Sequence, residues 1–393
     1  MENMSKTLVL RKSIFNPKFL KMNYHFIFFC ALFSILNFQN LFSVEARKST
    51  RNTGNLGIFA EGIKKFSAEY FKILTKTQNG NFISSPLSTA MVLALATHGA
   101  DNNTRQQLSN VLNFPIQDSK FEYIFYSLIK IFNNSQNVDW RFANGVLVDN
   151  KIQIKNTELL KFSTIFDSEI KSASFEDECV LAAEIDEWYW RKTQGKIIEF
   201  ENADELHEGE LIGLSAAYFN GKCLPSIETQ KGYFEFSNGE VNEIETVCST
   251  LKLKYNYILG NQVLSYKLPF ENKNFRNKYS MYIFFPVDGT NLKVIYDNLD
   301  RIDFKNLFPH PASCQKICIP KFNITSEFVL TPYLKEMKIT DMFGELAVFS
   351  NFESEGHVKM ADVIQKISVG IDSNPHSNCD YKNSEQILLL ISN

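Results

Sequence analysis

The sequence predicts an α+β fold: a single domain with several helices and large mixed or antiparallel β-sheets. Helical periodicity dominates the first half and strand-length apolar runs dominate the second, without the strict alternation of a βαβ protein. No repeat, proline-rich linker or low-complexity tract divides residues 55–393. We therefore expect one domain that spans residues 47–393.

The predicted helices begin with an amphipathic segment that runs from Phe59 to Leu74. Ser85 suits an N-cap and Pro86 suits the first helical position, which predicts a helix from there to Gly99. The other predicted helices lie at 121–132, at 180–193 with Ile185 and Trp188 facing inward, and from Thr331 to about Lys338.

The predicted strands are centred on Leu211–Phe219, a nearly all-apolar run without charge. Such a run is typical of a central strand that is buried on both faces. The other predicted strands lie at 140–149, 263–268, 279–285, 315–319 and 358–371.

Composition excludes one broad class of function. The net charge of −3 and the isoelectric point near 6.1 argue against a nucleic-acid-binding protein, which would carry a basic patch. Hydrophobic residues make up 44% of the chain, enough for a large core. We expect no cofactor.

The N-terminus has the features of a secretory signal peptide. Phe26–Leu36 is an apolar run too short to span a membrane, and Val44–Ala46 resembles a small-residue cleavage site. Met22 is a second candidate start. We assign residues 1–46 to this leader and expect a secreted, extracellular protein without membrane attachment after cleavage.

Export permits disulfide bonds. Six cysteines follow the leader: Cys179, Cys223, Cys248, Cys314, Cys318 and Cys379. They allow fifteen pairings, and their spacing matches no zinc site.

Three N-x-Ser/Thr sequons also fit export. They make Asn102, Asn133 and Asn323 candidate glycosylation sites. We expect the first two, which lie near loops, to be modified more often than the third.

Acidic residues gather around His207 before the central strand and raise a metal-binding hypothesis. They are Glu199, Glu201, Asp204, Glu205, Glu208 and Glu210. Their spacing matches neither an EF-hand nor a His-x-x-x-His pattern, so a solvated acidic loop is the favoured interpretation and no metal site is expected.

Gly213–Ala217 approximates the nucleophile elbow of serine hydrolases, with Ser215 as nucleophile and His357 in the right chain order. The elbow requires a sharp turn from strand to helix, whereas this apolar run continues as a strand. We therefore favour a protein without enzymatic activity.

Several segments, in order along the chain, resemble the serpin family of serine protease inhibitors. They are Asn81–Ala90, Thr193–Ile197, Ala216–Lys222, Ser280–Pro286, Ile319–Phe322, Ile339–Phe343 and Ala347–Ser350. The resemblance implies a large sheet that can open to accept a reactive loop as an extra strand. It also implies a secreted serine protease as partner, bound non-covalently if at all, and leaves the oligomeric state open.

The same resemblance places the shutter, a set of hydrogen-bonding side chains at the middle of the sheet, at Ser85, Ser88, Ser215 and Gln365. Ser215 replaces a family asparagine and Gln365 a family histidine, and both can still form hydrogen bonds. In the breach, at the top of the sheet, Cys223 replaces a tryptophan, so that region is repacked or looser.

The hinge before the reactive loop departs from the family pattern, which is an acidic residue, Gly, Thr and Glu followed by alanines. The degenerate hinge here comprises Gly370, Asp372, Ser373, Asn374 and Pro375. Proline lacks the N–H that a central strand needs. We expect a pseudo-inhibitor that acts as a binder, decoy or effector.

The segment Pro375–Gln386 separates the hinge from a tail that weakly resembles the strand after the reactive loop. Fully stretched, it spans about 40 Å, too little to project a bait and then fold back along the sheet. We expect a domain that is shortened at its C-terminus. The alternative is an active serine protease inhibitor in a complete isoform.

Overall fold

The structure, a computed structural model, describes most of the chain. The described residues are 22–23, 28–29, 52–78, 80–113, 119–133, 139–221, 228–235, 241–270, 279–287, 290–304, 306–353, 358–371 and 388–391. Most of the predicted leader lies outside these ranges, so its assignment stays a prediction.

The described residues form eight α-helices, joined by strands and short 3₁₀ turns. The helices are α1 (Asn52–Leu74), α2 (Pro86–Gly99), α3 (Asn102–Leu112), α4 (Ser119–Asn133), α5 (Asn156–Ile165), α6 (Glu178–Thr193), α7 (Lys293–Tyr296) and α8 (Thr331–Glu336). The 3₁₀ turns are Ala203–Glu205, Leu299–Arg301 and Asp341–Phe343.

The strands fall mainly into two sheets. In chain order they are β1 (Met22–Asn23), β2 (Phe28–Phe29), β3 (Ile83–Ser84), β4 (Asp139–Asp149), β5 (Glu169–Ala173), β6 (Leu211–Gly221), β7 (Glu228–Glu235), β8 (Val241–Ile258), β9 (Val263–Phe270), β10 (Tyr279–Pro286), β11 (Ser313–Pro320), β12 (Phe322–Val329), β13 (Met360–Ile371) and β14 (Leu388–Ile391).

The first sheet has the strand order β12-β13-β6-β4-β5 and mixes parallel with antiparallel pairs. The second has the order β1-β7-β8-β9-β10-β14, and β11 pairs with β8 off this path. The strands β2 and β3 form a separate two-stranded sheet. This arrangement confirms the predicted α+β class with mixed and antiparallel sheets.

Each predicted helix and strand is present, with bounds that differ by a few residues. The helix that begins at Thr331 ends at Glu336 because Lys338 adopts the left-handed conformation, with φ of 71°. The inward-facing residues of α6, Ile185 and Trp188, are 0% and 1% exposed, as predicted.

The five-stranded sheet is buried on both faces, as the uncharged run in β6 predicts. Its front face packs under α6 in a cluster that includes Trp188 and Leu214. Its rear face packs on α1 and α2 in the main core. At Gly213 an added Cβ would lie 3.0 Å from Cγ2 of Val92, so glycine allows α2 to approach the centre of the sheet closely.

A disulfide joins Cys248 on β8 to Cys318 on β11. The two residues are direct partners in the antiparallel ladder, with Cα atoms 4.1 Å apart. The bond selects one of the pairings that the sequence leaves open, and it closes a chain segment with a sequence separation of 70. Cys223 and Cys379 lie outside the described residues.

Removing this bond should destabilise the fold. We expect the double substitution Cys248→Ala/Cys318→Ala to lower the free energy of unfolding by about 2–4 kcal/mol, because a long loop of the unfolded chain is no longer closed. Urea unfolding monitored by fluorescence measures the change. Cys314→Ala is the control, since that thiol is free and exposed. Equal stability of the double variant and the control would contradict the bond.

His98, at the C-terminal end of α2, has a largely buried imidazole, with 9% of its side chain exposed. Its ring packs edge-on against Phe166, with centroids 5.0 Å apart. Burial lowers the pKa of His98 from 6.5 to about 4, although the charge of Glu158 opposes the shift. The folded protein therefore holds a neutral imidazole down to a pH at which the unfolded chain is protonated.

This difference predicts acid sensitivity. Above about pH 6.5 the group is neutral in both states, and as the pH falls toward about 4 only the unfolded state gains the proton, so stability is lost across that interval by up to about 3 kcal/mol. We expect His98→Gln to lose less stability than the wild type between about pH 7 and about pH 4.5. The exposed His310, as His310→Gln, is the control. Unchanged pH dependence in His98→Gln would contradict the assignment.

Candidate functional site at the centre of the five-stranded sheet

The seam between β6 and β13 is the place where the five-stranded sheet would have to open. Parallel pairing runs without interruption from Val363–Gly213 to Ile371–Gly221. The other edge of β13 is occupied by β12. A strand made from the residues after β13 could therefore pair with β13 only by separating it from β6 or from β12.

The N-terminus of α2 lies directly behind this seam. Ser85 is its N-cap, and the Oγ atom of Ser85 accepts a hydrogen bond from the N–H of Ser88 at 3.3 Å. Pro86 occupies the first turn, where its missing N–H has no cost. Because almost all of α2 is buried, this helix end is a fixed polar surface inside the core.

Gln365 on β13 inserts its carboxamide into that surface. Its Oε1 atom accepts from the hydroxyl of Tyr70 at 3.2 Å, the hydroxyl of Ser84 at 2.9 Å and the N–H of Ser85 at 3.1 Å. Its Nε2 atom donates to the carbonyl of Ser85 at 2.9 Å and to Oγ1 of Thr89 at 2.7 Å. The side chain is fully buried, and both ends of its amide are satisfied.

Ser215 on β6 is anchored to the same helix by a different contact. Its hydroxyl forms a hydrogen bond with the hydroxyl of Ser88, and both residues are fully buried. Ser215 is also the register partner of Gln365 across the seam. The structure therefore brings together all four residues of the predicted shutter, and each strand of the seam has its own attachment to α2.

Three members of this network were not predicted from the sequence: Tyr70, Ser84 and Thr89. Tyr70 belongs to the apolar stripe of α1 and was expected only as a core residue. Its hydroxyl lies 3.1 Å from Oγ of Ser84 and 3.3 Å from Oγ1 of Thr89. Burial raises the pKa of Tyr70, so the phenol stays protonated and can donate to Gln365.

Tyr189 on α6 spans the seam from the front face. Its hydroxyl lies 3.4 Å from the carbonyl oxygen of Ser215 on β6 and 3.3 Å from that of Ile364 on β13. A single O–H donor is shared between the two strands. Burial raises the pKa of Tyr189 well above its usual value, which keeps this donor protonated.

An ion pair adds a second contact on the front face. Nζ of Lys366 on β13 lies 2.6 Å from Oε2 of Glu327 on β12, and both side chains are buried. Oε1 of Glu327 also accepts from the N–H of Asn202 at 3.1 Å and from its Nδ2 at 2.7 Å. The segment after α6 is thus tied to β12 and β13.

The acidic segment around His207 does not assemble into a metal site. His207 contacts the buried carboxylate of Asp362 through its N–H at 2.7 Å and through Nδ1 at 2.9 Å. Thr331 donates to the same carboxylate at 2.5 Å. Among the described residues no group of three or more His, Cys, Asp or Glu could hold a metal ion.

Comparison with known proteins gives the family. The family model described as "Serpin (serine protease inhibitor)" matches residues 61–376. The chain belongs to the serpin family. Serpins are generally inhibitors of serine proteases rather than hydrolases, and serine proteases are the partner class of the family.

Individual relatives of this serpin are distant. It is 24% identical to Serpin B5 of Xenopus tropicalis over 333 residues, which cover 81% of this chain and 86% of that protein. It is 23% identical to Serpin I2 of Homo sapiens over 312 residues, 77% and 76% of the two chains. The crystal structure of Manduca sexta serpin-12 superimposes with a TM-score of 0.71 at 23% identity, covering 80% and 88% of the chains.

The surroundings of Ser215 in this serpin differ from those of a hydrolase nucleophile. Ser215 lies in the middle of β6 rather than at a strand-to-helix turn, and it is fully buried. His357 lies outside the described residues.

No helix in the described ranges is long and apolar enough to cross a membrane.

The structure locates only part of the predicted breach and hinge. Gly370 lies near the end of β13, where it pairs with Asn323 on β12 and Asn220 on β6. Cys223 and the hinge residues from Asp372 to Pro375 lie outside the described residues.

The three sequons lie in different settings. Asn102 is the first residue of α3 and is exposed, whereas Thr104 of its sequon is 1% exposed. Asn133 is the last residue of α4. Asn323 lies in β12 and is exposed. Glycosylation at these sites stays a prediction.

Substitution of Gln365 tests the role of the shutter in stability. We expect Gln365→Ala to lower the free energy of unfolding by roughly 3 kcal/mol, because it leaves several buried polar groups without partners. Gln365→His, which restores the family residue, should lose less. Urea unfolding measures both, with the exposed Gln106, as Gln106→Ala, for comparison. A loss in Gln365→Ala no larger than in Gln106→Ala would show that the network contributes little.

Proposed function

We propose that this protein is a secreted serpin-family glycoprotein that acts by binding and does not trap proteases by inserting its loop. The observation that carries the proposal is Pro375, four positions beyond Ile371, the last residue of β13. A loop that enters the seam from this end must bring its hinge residues in first, so the proline would reach the sheet near the start of insertion.

The physical argument concerns the backbone. An inserted strand would lie between β6 and β13 and would need hydrogen bonds on both edges along its length. Proline has no N–H and is confined to edge strands and bulges. Asn374 and His376, which flank the proline, are larger than the alanines that the resemblance leads one to expect in a hinge.

The closed seam supports the same proposal. Opening the seam would separate β13, which carries Gln365, from β6, which carries Ser215. It would also break at least one of the contacts that the Tyr189 hydroxyl makes with the two strands. In an inhibitory serpin the inserted strand would replace the lost ladder, but a hinge that contains proline replaces it incompletely. The closed sheet is then the stable end state of this chain.

Three features support export. The apolar run Phe26–Leu36 and the small-residue site Val44–Ala46 have the pattern of a cleavable signal peptide. The Cys248–Cys318 disulfide suits an oxidising compartment. An exported serpin that is not consumed by its target would hold a secreted serine protease non-covalently, as a decoy, or contact another extracellular protein.

Incubation with proteases tests the proposal. We expect trypsin-like and chymotrypsin-like enzymes to cleave the protein or leave it intact without forming a complex that survives SDS gel electrophoresis. An inhibitory serpin treated in parallel is the positive control. An SDS-stable complex would overturn the non-inhibitory assignment.

A thermal measurement provides an independent readout. We expect the protein nicked between Asn374 and Gln386 to melt near the temperature of the intact protein, because no strand is added to the sheet. A large rise in Tm after nicking would show that the loop does insert despite Pro375. The variant Pro375→Ala, nicked in the same way, shows whether the proline alone is the obstacle.

A further inference from the structure

The sequon at Asn323 occupies a position that the proposed non-inhibitory role does not explain. The sequon lies on β12, the strand at one edge of the five-stranded sheet. Successive side chains of a strand point to opposite faces of the sheet, so residues two apart share a face. Asn323 and Thr325 therefore share one face, and both are exposed. The two side chains that define a glycosylation acceptor point together into solvent from a regular strand.

The cross-strand partner of Asn323 is a residue without a side chain. That partner is Gly370, where an added Cβ would lie 3.5 Å from Oδ1 of Asn323. That distance is an ordinary van der Waals contact, so a small side chain would fit there, whereas a longer one would stand beside the asparagine. With glycine, no side chain of β13 stands beside the carboxamide.

The outer edge of β12 is a place where another chain could associate with the sheet. In the described part of the chain β12 is the last strand of the five-stranded sheet, and its ladder partner is β13. The N–H of Ile83 donates to Oγ of Ser326 at 3.0 Å on the face of the sheet that β3 covers. An exposed edge strand offers unpaired backbone groups to other chains and favours edge-to-edge association.

We propose that Asn323 carries an N-linked glycan that covers the edge of β12 and prevents the exported protein from associating through it. Nδ2 of Asn323 forms a bond to the anomeric carbon of a lipid-diphosphate-linked oligosaccharide. The bond from that carbon to the diphosphate oxygen breaks, the lipid diphosphate leaves with the electron pair, and the amide nitrogen gives up one proton. The inference rests on the proposed export, because the donor is found in the secretory pathway.

The test uses the full-length chain expressed in a eukaryotic secretory host. Protein recovered from the medium is treated with a peptide-N-glycosidase in heavy-oxygen water, and peptide mass spectrometry identifies each asparagine that is converted to labelled aspartate. We expect the label at Asn323. Exported protein with an unmodified Asn323 would overturn the site while leaving the export intact, whereas a chain that never leaves the cytosol would overturn both.

The edge-covering role needs a separate readout. We expect Asn323→Gln and Thr325→Ala, which each destroy the sequon, to form more oligomer on mild heating than the wild type, as measured by light scattering after size-exclusion chromatography. Asn323→Gln removes the glycan but keeps the Thr325–Ser368 hydrogen bond, so it separates the two effects. Thr325→Ser keeps both the sequon and the hydroxyl and should behave as the wild type.

A variant at another sequon completes the comparison. Asn102→Gln removes an acceptor at the start of a helix, α3, and not on a strand, and should not change association. Equal association of all variants would overturn the edge-covering role. Enzymatic removal of the glycan from folded wild-type protein should reproduce the behaviour of Asn323→Gln, and failure to do so would also contradict it.

Discussion

The carboxamide of Gln365 is the contact on which the centre of this molecule depends. A buried amide must satisfy an acceptor and a donor at once, and here α1, β3 and α2 supply every partner. Because these partners are fixed, a shift of β13 by one residue would turn the amide to the opposite face and leave them unpaired. This one side chain therefore favours the observed register of β13.

Contacts on the opposite face reinforce the closed arrangement. Tyr189 shares its proton between the carbonyl groups of two strands, and the buried pair of Lys366 and Glu327 ties the next strand to the segment after α6. Buried ion pairs contribute little net stability, but they penalise any arrangement that separates the charges. The sheet is thus held from both sides where a serpin would have to open it, while the residues that would enter include a proline.

The sequence predicts the long apolar elements well and the polar ones poorly. The strand β6 and the helix α2 follow from uninterrupted apolar runs and a Ser-Pro start, whereas α3 was missed because polar residues dominate it. Family resemblance located Ser85, Ser88, Ser215 and Gln365, but Tyr70 lies 295 positions from Gln365, and no local pattern reveals such a partner. The pairing of Cys248 with Cys318 likewise required the register of β8 and β11.

The long strand β8 links the parts of the second sheet. Its first half pairs with β7 on one edge and its middle with β11, and its last residues pair with β9. One continuous strand therefore joins β7 and β11 to β9 and to the strands beyond it. Because both parts of the sheet pair with this same strand, we expect them to unfold together and not as separable modules.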